Sequence, residues 1–181
     1  MSGGRSAIAQ VIGAAFDDLA VEVRTVHSGR DLTTVGQAEA FIGSNPLSAL
    51  ICLCFGLPRA GVNQPVSVHF LTGADGRDRW WRNFAGRKYS SILATGAPGS
   101  GTLIERQGIL TTLFHLTVEN RRLAFRLVGF AVLGIPMPGW LRPRCVAYES
   151  GEQGRFTFDI TVDMPLTGRL IHYRGTMDVP A

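Results

Sequence analysis

A permanently charged arginine among aromatic side chains is the most chemically consequential feature of this chain. Trp80-Trp81-Arg82-Asn83-Phe84 reads as a strand, and alternation puts Trp80, Arg82 and Phe84 on one face. If that face is interior, a guanidinium that cannot lose its proton needs an anionic partner. Glu105 is the carboxylate candidate, sharing a face with Gln107 on Thr102–Val118, a segment read as one long strand with a bulge at Gly108. The pair could orient a polar ligand, or Glu105 could act as a general base. The plainer reading is a structural ion pair that ties two strands together.

Other reactive types are spread more thinly. Tyr173 could donate to a ligand carbonyl, with Glu149 as acid or base. His115 is a third candidate for proton transfer, and Trp140 is placed to plug a cavity mouth. His69, His115 and His172 fall on different predicted strands, and their spacing does not demand a metal site. His69 and His172 alternate away from apolar neighbours, while His27 ends a helix, where a cation is favourable. Ser90-Ser91 lacks the turn of a nucleophile elbow, and the three cysteines have no evident activating base. Cys52 and Cys54 read as small buried hydrophobes in a reduced compartment.

These residues need a scaffold, and composition limits the choice. The 181 residues suit one domain, predicted over residues 6–179 behind a frayed tail at 1–5. Hydrophobic residues reach 45%, which argues against disorder, and 22 glycines with nine prolines point to the many turns of a β-rich fold. All of the 18 basic residues except Lys88 are arginine, scattered without a basic helix, so nucleic-acid binding is not expected. The longest apolar run, Leu47 to Leu57, is too short to cross a bilayer. A soluble cytoplasmic chain is expected, with peripheral membrane contact left open by its slightly positive hydropathy.

Periodicity then supplies the elements. Ile12, Phe16, Leu19, Val23 and Val26 form one apolar face of a helix predicted over Ser6–His27. Leu32–Ile42 reads as a strand. Asn45-Pro46 opens a short helix to Phe55 that is apolar nearly all round, hence deeply buried or set against a membrane. From Val66 onward strands dominate, cleanest where Phe156, Phe158, Ile160 and Val162 alternate with Thr157, Asp159, Thr161 and Asp163. The predicted fold is α+β: a strongly curved antiparallel sheet of about seven to nine strands, helix-grip or lipocalin-like, packed with two N-terminal helices.

Several short blocks in a fixed order carry a resemblance. They are Leu133-Gly134-Ile135-Pro136-Met137-Pro138 with Trp140-Leu141 and Pro143, and Met164-Pro165-Leu166-Thr167-Gly168 running into Tyr173-Arg174-Gly175. With Trp80-x-Arg82-x-Phe84, Glu105-Arg106-x-Gly108 and Phe16…Leu19…His27, the chain resembles a bacterial family of unknown function. In that family the domain stands alone or fused behind a saccharopine-dehydrogenase-like nucleotide-binding domain. The resemblance implies no assigned reaction and no catalytic residues, and only hints at a small metabolite. The chain has no Gly-x-Gly-x-x-Gly, so no cofactor is expected.

Three functions are expected in order. The first is binding of a small apolar or acidic metabolite in a cavity lined or supported by Trp80, Arg82, Phe84, Glu105, Glu149, Tyr173 and Trp140. The second is a cofactor-independent isomerase, cyclase or lyase using Glu105, His115 or Tyr173. The third is an interaction module for a reductase partner.

Overall fold

From Leu32 onward, in-and-out alternation of side chains is sustained through strand after strand, and each strand of the barrel finds a partner on both sides. The computed structural model describes residues 4–180. Two short helices, α1 (Ala7–Ile12) and α2 (Val21–Val26), come first, joined by a 3₁₀ turn at Gly13–Asp18. Strand β1 (Leu32–Ile42) and helix α3 (Pro46–Cys54) follow. The rest is strand: β2 (Gly61–Thr72), β3 (Asp78–Phe84), β4 (Arg87–Thr95), β5 (Thr102–Gln107), β6 (Leu110–Glu119) and β7 (Arg122–Val132). The series ends with β8 (Ile135–Pro136), β9 (Arg144–Glu152), β10 (Arg155–Met164) and β11 (Gly168–Asp178).

The sheet runs β6-β5-β4-β3-β2-β1-β11-β10-β9-β7, and β6 also pairs with β7. The ends therefore meet, and ten antiparallel strands close into a barrel, with two-residue β8 added beside β7. This corrects the expected α+β sheet of seven to nine strands. Strand accounts for 55% of the chain and helix for only 17%. Two physical causes explain the difference. Thr102–Val118 is not one bulged strand but a tight hairpin, because Gly108 takes a positive φ of 55° and turns the chain. Closure, moreover, depends on β1 meeting β11, with Val35 opposite Asp178 and Ile42 opposite Ile171. No local pattern reports that encounter.

Small residues make the seam possible. Gly36, Ala38 and Ala40 share a face of β1, and Phe158 packs so closely over Gly175 that a Cβ there would meet its ring at 2.7 Å. Bulges then re-aim the wall. Between Leu113 and Phe114 the β6–β7 register slips past Val128, so that both Leu127 and Phe130 point inward.

The N-terminal segment plugs one end of the barrel. The helix predicted over Ser6–His27 is broken, with Gly13 at φ 60° and Leu19 extended. Its apolar face nonetheless packs as the periodicity implied: Leu19, Val23 and Val26 are buried in the main core, and Ile12 and Phe16 pack against it partly buried. Buried polar bonds fix the plug. Asp78 accepts from the Ala7 N–H at 3.0 Å and from Thr72 at 2.6 Å, and burial raises its carboxyl above the ordinary range. Ser6 caps α1 and donates to the His27 carbonyl. At the opposite end α3, capped by Asn45, lies across the rim, bonded to β11 through Ser48 and the Arg169 carbonyl. Among the described residues no helix is long and apolar enough to cross a membrane.

Candidate functional site

Between plug and α3 the barrel encloses a cavity of about 380 Å³. Each wall position follows from strand alternation. β3 contributes Trp80, Arg82 and Phe84; β5 contributes Glu105 and Gln107; β9 contributes Cys145 and Glu149; β11 contributes Tyr173. β10 supplies an apolar row from Phe156 to Met164, and Ile51 of α3, with Phe55 just after it, roofs the space. The plug end is tight, since Trp80, Phe156 and Met177 are nearly inaccessible, whereas Ile51, Phe55 and Leu57 at the α3 end keep partial exposure.

The polar wall is built around Arg82. Its Nη2 donates to Glu105 Oε1 at 3.1 Å, and its Nη1 donates to Ser91 Oγ at 2.7 Å. The guanidinium carbon lies 4.8 Å from the Trp80 ring centre and 5.4 Å from that of Tyr89, within cation–π range. Burial opposes the charge, but Glu105 and the tyrosines Tyr89 and Tyr173 outweigh it and hold Arg82 above its ordinary pKa. Burial also pushes the Tyr89 hydroxyl up to about 12 and that of Tyr173 well above its ordinary value. Both therefore stay protonated at neutral pH, as hydrogen-bond donors. The Tyr89 hydroxyl lies near Tyr173 but makes no well-formed hydrogen bond.

A second polar pair stands at the deep end. His27 Nε2 and Glu149 Oε2 are 2.6 Å apart, and both residues are buried. The imidazole stacks on Trp80 at 5.4 Å, so one indole touches both polar groups, Arg82 and His27. His27 follows α2 directly, but its ring is used in the core rather than at the helix end.

Of the residues singled out from sequence, Trp80, Arg82, Phe84, Glu105, Glu149 and Tyr173 all line this one cavity. His115 and Trp140 do not. His115 alternates with the buried Phe114 and Leu116 and so points away from the interior. Trp140 lies in a short 3₁₀ turn after β8 with 68% of its surface exposed. His69 and His172 pair with Asp31 and Asp159 on the outside of the barrel. Among the described residues no group of three or more His, Cys, Asp or Glu side chains could hold a metal.

Sequence reasoning missed Ser91, Tyr89 and the partner of His27. The first two were legible in principle, because Tyr89, Ser91 and Leu93 alternate in register with Arg82 opposite Tyr89. His27 and Glu149 are 122 residues apart, and no local signal links them.

Residues 19–177 match the model of a family described as a domain of unknown function (DUF4166). The chain belongs to that family. The match begins at Leu19, within the plug, and covers the whole barrel to Met177 in β11, including every cavity residue named above. No curated protein matches the chain.

The unpaired tyrosine gives a first prediction. Tyr89→Phe removes a buried hydroxyl that lacks a partner, so stability at neutral pH should be unchanged or rise by up to about 1 kcal/mol. The pH dependence has a definite sign. Below pH 10.0 the hydroxyl is neutral in both states and carries no ionisation penalty; as pH rises from 10.0 towards about 12 the unfolded chain ionises first, and stability falls. Urea midpoints at pH 8 to 12 should show the alkaline decline starting later in Tyr89→Phe. An identical decline in both proteins would refute this role.

Proposed function

We propose that this barrel binds a small, largely apolar molecule carrying an acidic or carbonyl group. The supporting observation is the composition of the cavity: about 380 Å³ walled by aromatic and aliphatic side chains, with Arg82–Glu105 as the polar group in its side. That size and that mixture are those of small-molecule sites. Glu105 and Ser91 occupy two of the five guanidinium N–H donors, which leaves donors for a ligand oxygen. Phe84, Phe158 and Ile160 line the wall beside Arg82 and would meet the ligand's apolar part.

The geometry favours binding over catalysis by an isomerase, cyclase or lyase. Glu105 is committed to Arg82, and Glu149 to His27. The tyrosines are protonated donors, not bases. A reducing compartment such as the cytoplasm suits Cys52, Cys54 and Cys145, which are all free thiols.

Native mass spectrometry of the purified protein, followed by extraction of any adduct, tests this reading. Titration with anilinonaphthalene sulfonate, an anionic aromatic probe, supplements it. We expect saturable probe binding that falls at least tenfold in Arg82→Met/Glu105→Leu, with an unchanged circular dichroism spectrum. Equal probe affinity in the folded double variant, or none in the native protein, would overturn the proposal.

A further inference from the structure

The barrel's two rims differ in chemistry. Antiparallel order collects α3, the β5–β6 and β10–β11 turns, the β7–β8 connection and the segment before β9 at one rim. α3 is apolar on both sides. Ile51 and Phe55 face the cavity, while Leu50 and Leu53 are 54% and 59% exposed. The alternative of deep burial for this helix is thereby removed. The same rim carries Leu133, Ile135, Trp140 and Leu166, each between 64% and 73% exposed. A single exposed leucine needs no explanation, but several large apolar side chains exposed at one rim do.

The charges at this rim are mostly positive. Arg59, Arg87, Lys88, Arg142, Arg144 and Arg169 lie there, and the acid beside them, Asp163, is held by Arg169 at 2.5 Å. The opposite end mixes signs: Asp75, Glu119, Glu152 and Asp178 stand there beside Arg77, Arg79, Arg121, Arg122 and Arg155. A nucleic acid would use the arginines and leave the leucines in water. A bilayer with anionic headgroups uses both, and a tryptophan at the boundary fits its interface.

We infer that this rim docks on an anionic phospholipid bilayer, with α3 against the lipid and the cavity opening towards it. The inference extends the binding reading above, because an apolar ligand would pass between membrane and cavity without crossing water. The end of α3 is latched by two side chains. Arg87 donates to the Leu57 carbonyl at 2.8 Å and Gln107 to that of Phe55 at 3.2 Å. Arg87 belongs to the basic rim, so lipid phosphate competes for the group that holds the lid down.

Co-sedimentation of the full chain with phosphatidylglycerol/phosphatidylcholine vesicles tests the docking, with pure phosphatidylcholine as reference. We expect partition onto the anionic vesicles at least tenfold above the reference, weakened by salt. Leu50→Asp/Leu53→Asp and, separately, Arg142→Glu/Arg144→Glu should each lower it at least tenfold while anilinonaphthalene sulfonate still binds. Absence of binding to anionic vesicles overturns the inference, as does undiminished binding by both variants. A concentration-dependent dimer abolished by Leu50→Asp/Leu53→Asp, with no vesicle binding, would assign the rim to a second copy of the chain. Vesicle binding without probe binding would instead overturn the cavity reading and leave the docking intact.

Discussion

Arg82→Met should destabilise the barrel by about 3–5 kcal/mol, and adding Glu105→Leu should restore most or all of the loss. The single substitution leaves Glu105, whose side chain is only 19% exposed, without its cation in an apolar wall. Ser91 loses its donor as well. The double variant replaces both charges with apolar groups of similar volume, and such replacements are often neutral or stabilising. Urea denaturation of the native protein, both single variants and the double variant measures the coupling directly. A double variant as unstable as Arg82→Met alone would mean that the guanidinium supports the fold through Trp80 and Tyr89, not through Glu105. A double variant that is stable but no longer binds the anionic probe would show that the pair is kept for recognition.

Gly36→Ala should cost about 3 kcal/mol or more, at the upper end for overpacking. Gly36 faces Met177 across the β1–β11 seam, and a Cβ there would overlap the Thr176 carbonyl oxygen and lie 2.7 Å from the Met177 Cα. The obstructing atoms are backbone, so no rotamer change relieves the clash; the two strands must part. Gly139 is the control. It has no positive φ, and a Cβ added there would meet nothing within 4 Å, so Gly139→Ala should lie within about 0.5 kcal/mol of the native protein. Thermal and urea unfolding of the two variants side by side checks the difference. Equal stabilities would show that the seam has slack, and closure would then not depend on glycine.

The sequence was legible where the structure is local. Alternation alone brought Trp80, Arg82 and Phe84 onto one face and carried β10 through from Phe156 to Val162, because both strands keep a strict period of two. The Arg82–Glu105 pairing was also readable, since an interior guanidinium has few partners. Reading failed where two distant segments decide. Gly108 looks the same in sequence whether it bulges a strand or turns a hairpin. Ser6–His27 has the periodicity of one helix because its apolar residues do meet one core, although the chain breaks at Gly13 on the way. His115 and Trp140 have suitable chemistry, but the inward or outward phase of a strand or loop depends on bulges and turns that composition does not reveal. The small inner face of β1, Gly36-x-Ala38-x-Ala40, lets a neighbouring strand pack closely but does not say that the neighbour is β11.

Closure also orders events in time. β1 is synthesised before all the other strands and β11 after them, yet the two are hydrogen-bonded neighbours from Val35–Asp178 to Ile42–Ile171. Throughout elongation on the ribosome, β1 therefore carries an unpaired edge that is filled only when the final strand emerges. Such non-local pairing makes folding slow and leaves the unfinished barrel open to strand exchange with its neighbours. A polypeptide cut off before Gly168 should accumulate as aggregates, and slower translation would not rescue it, because the missing partner has no substitute within the same molecule.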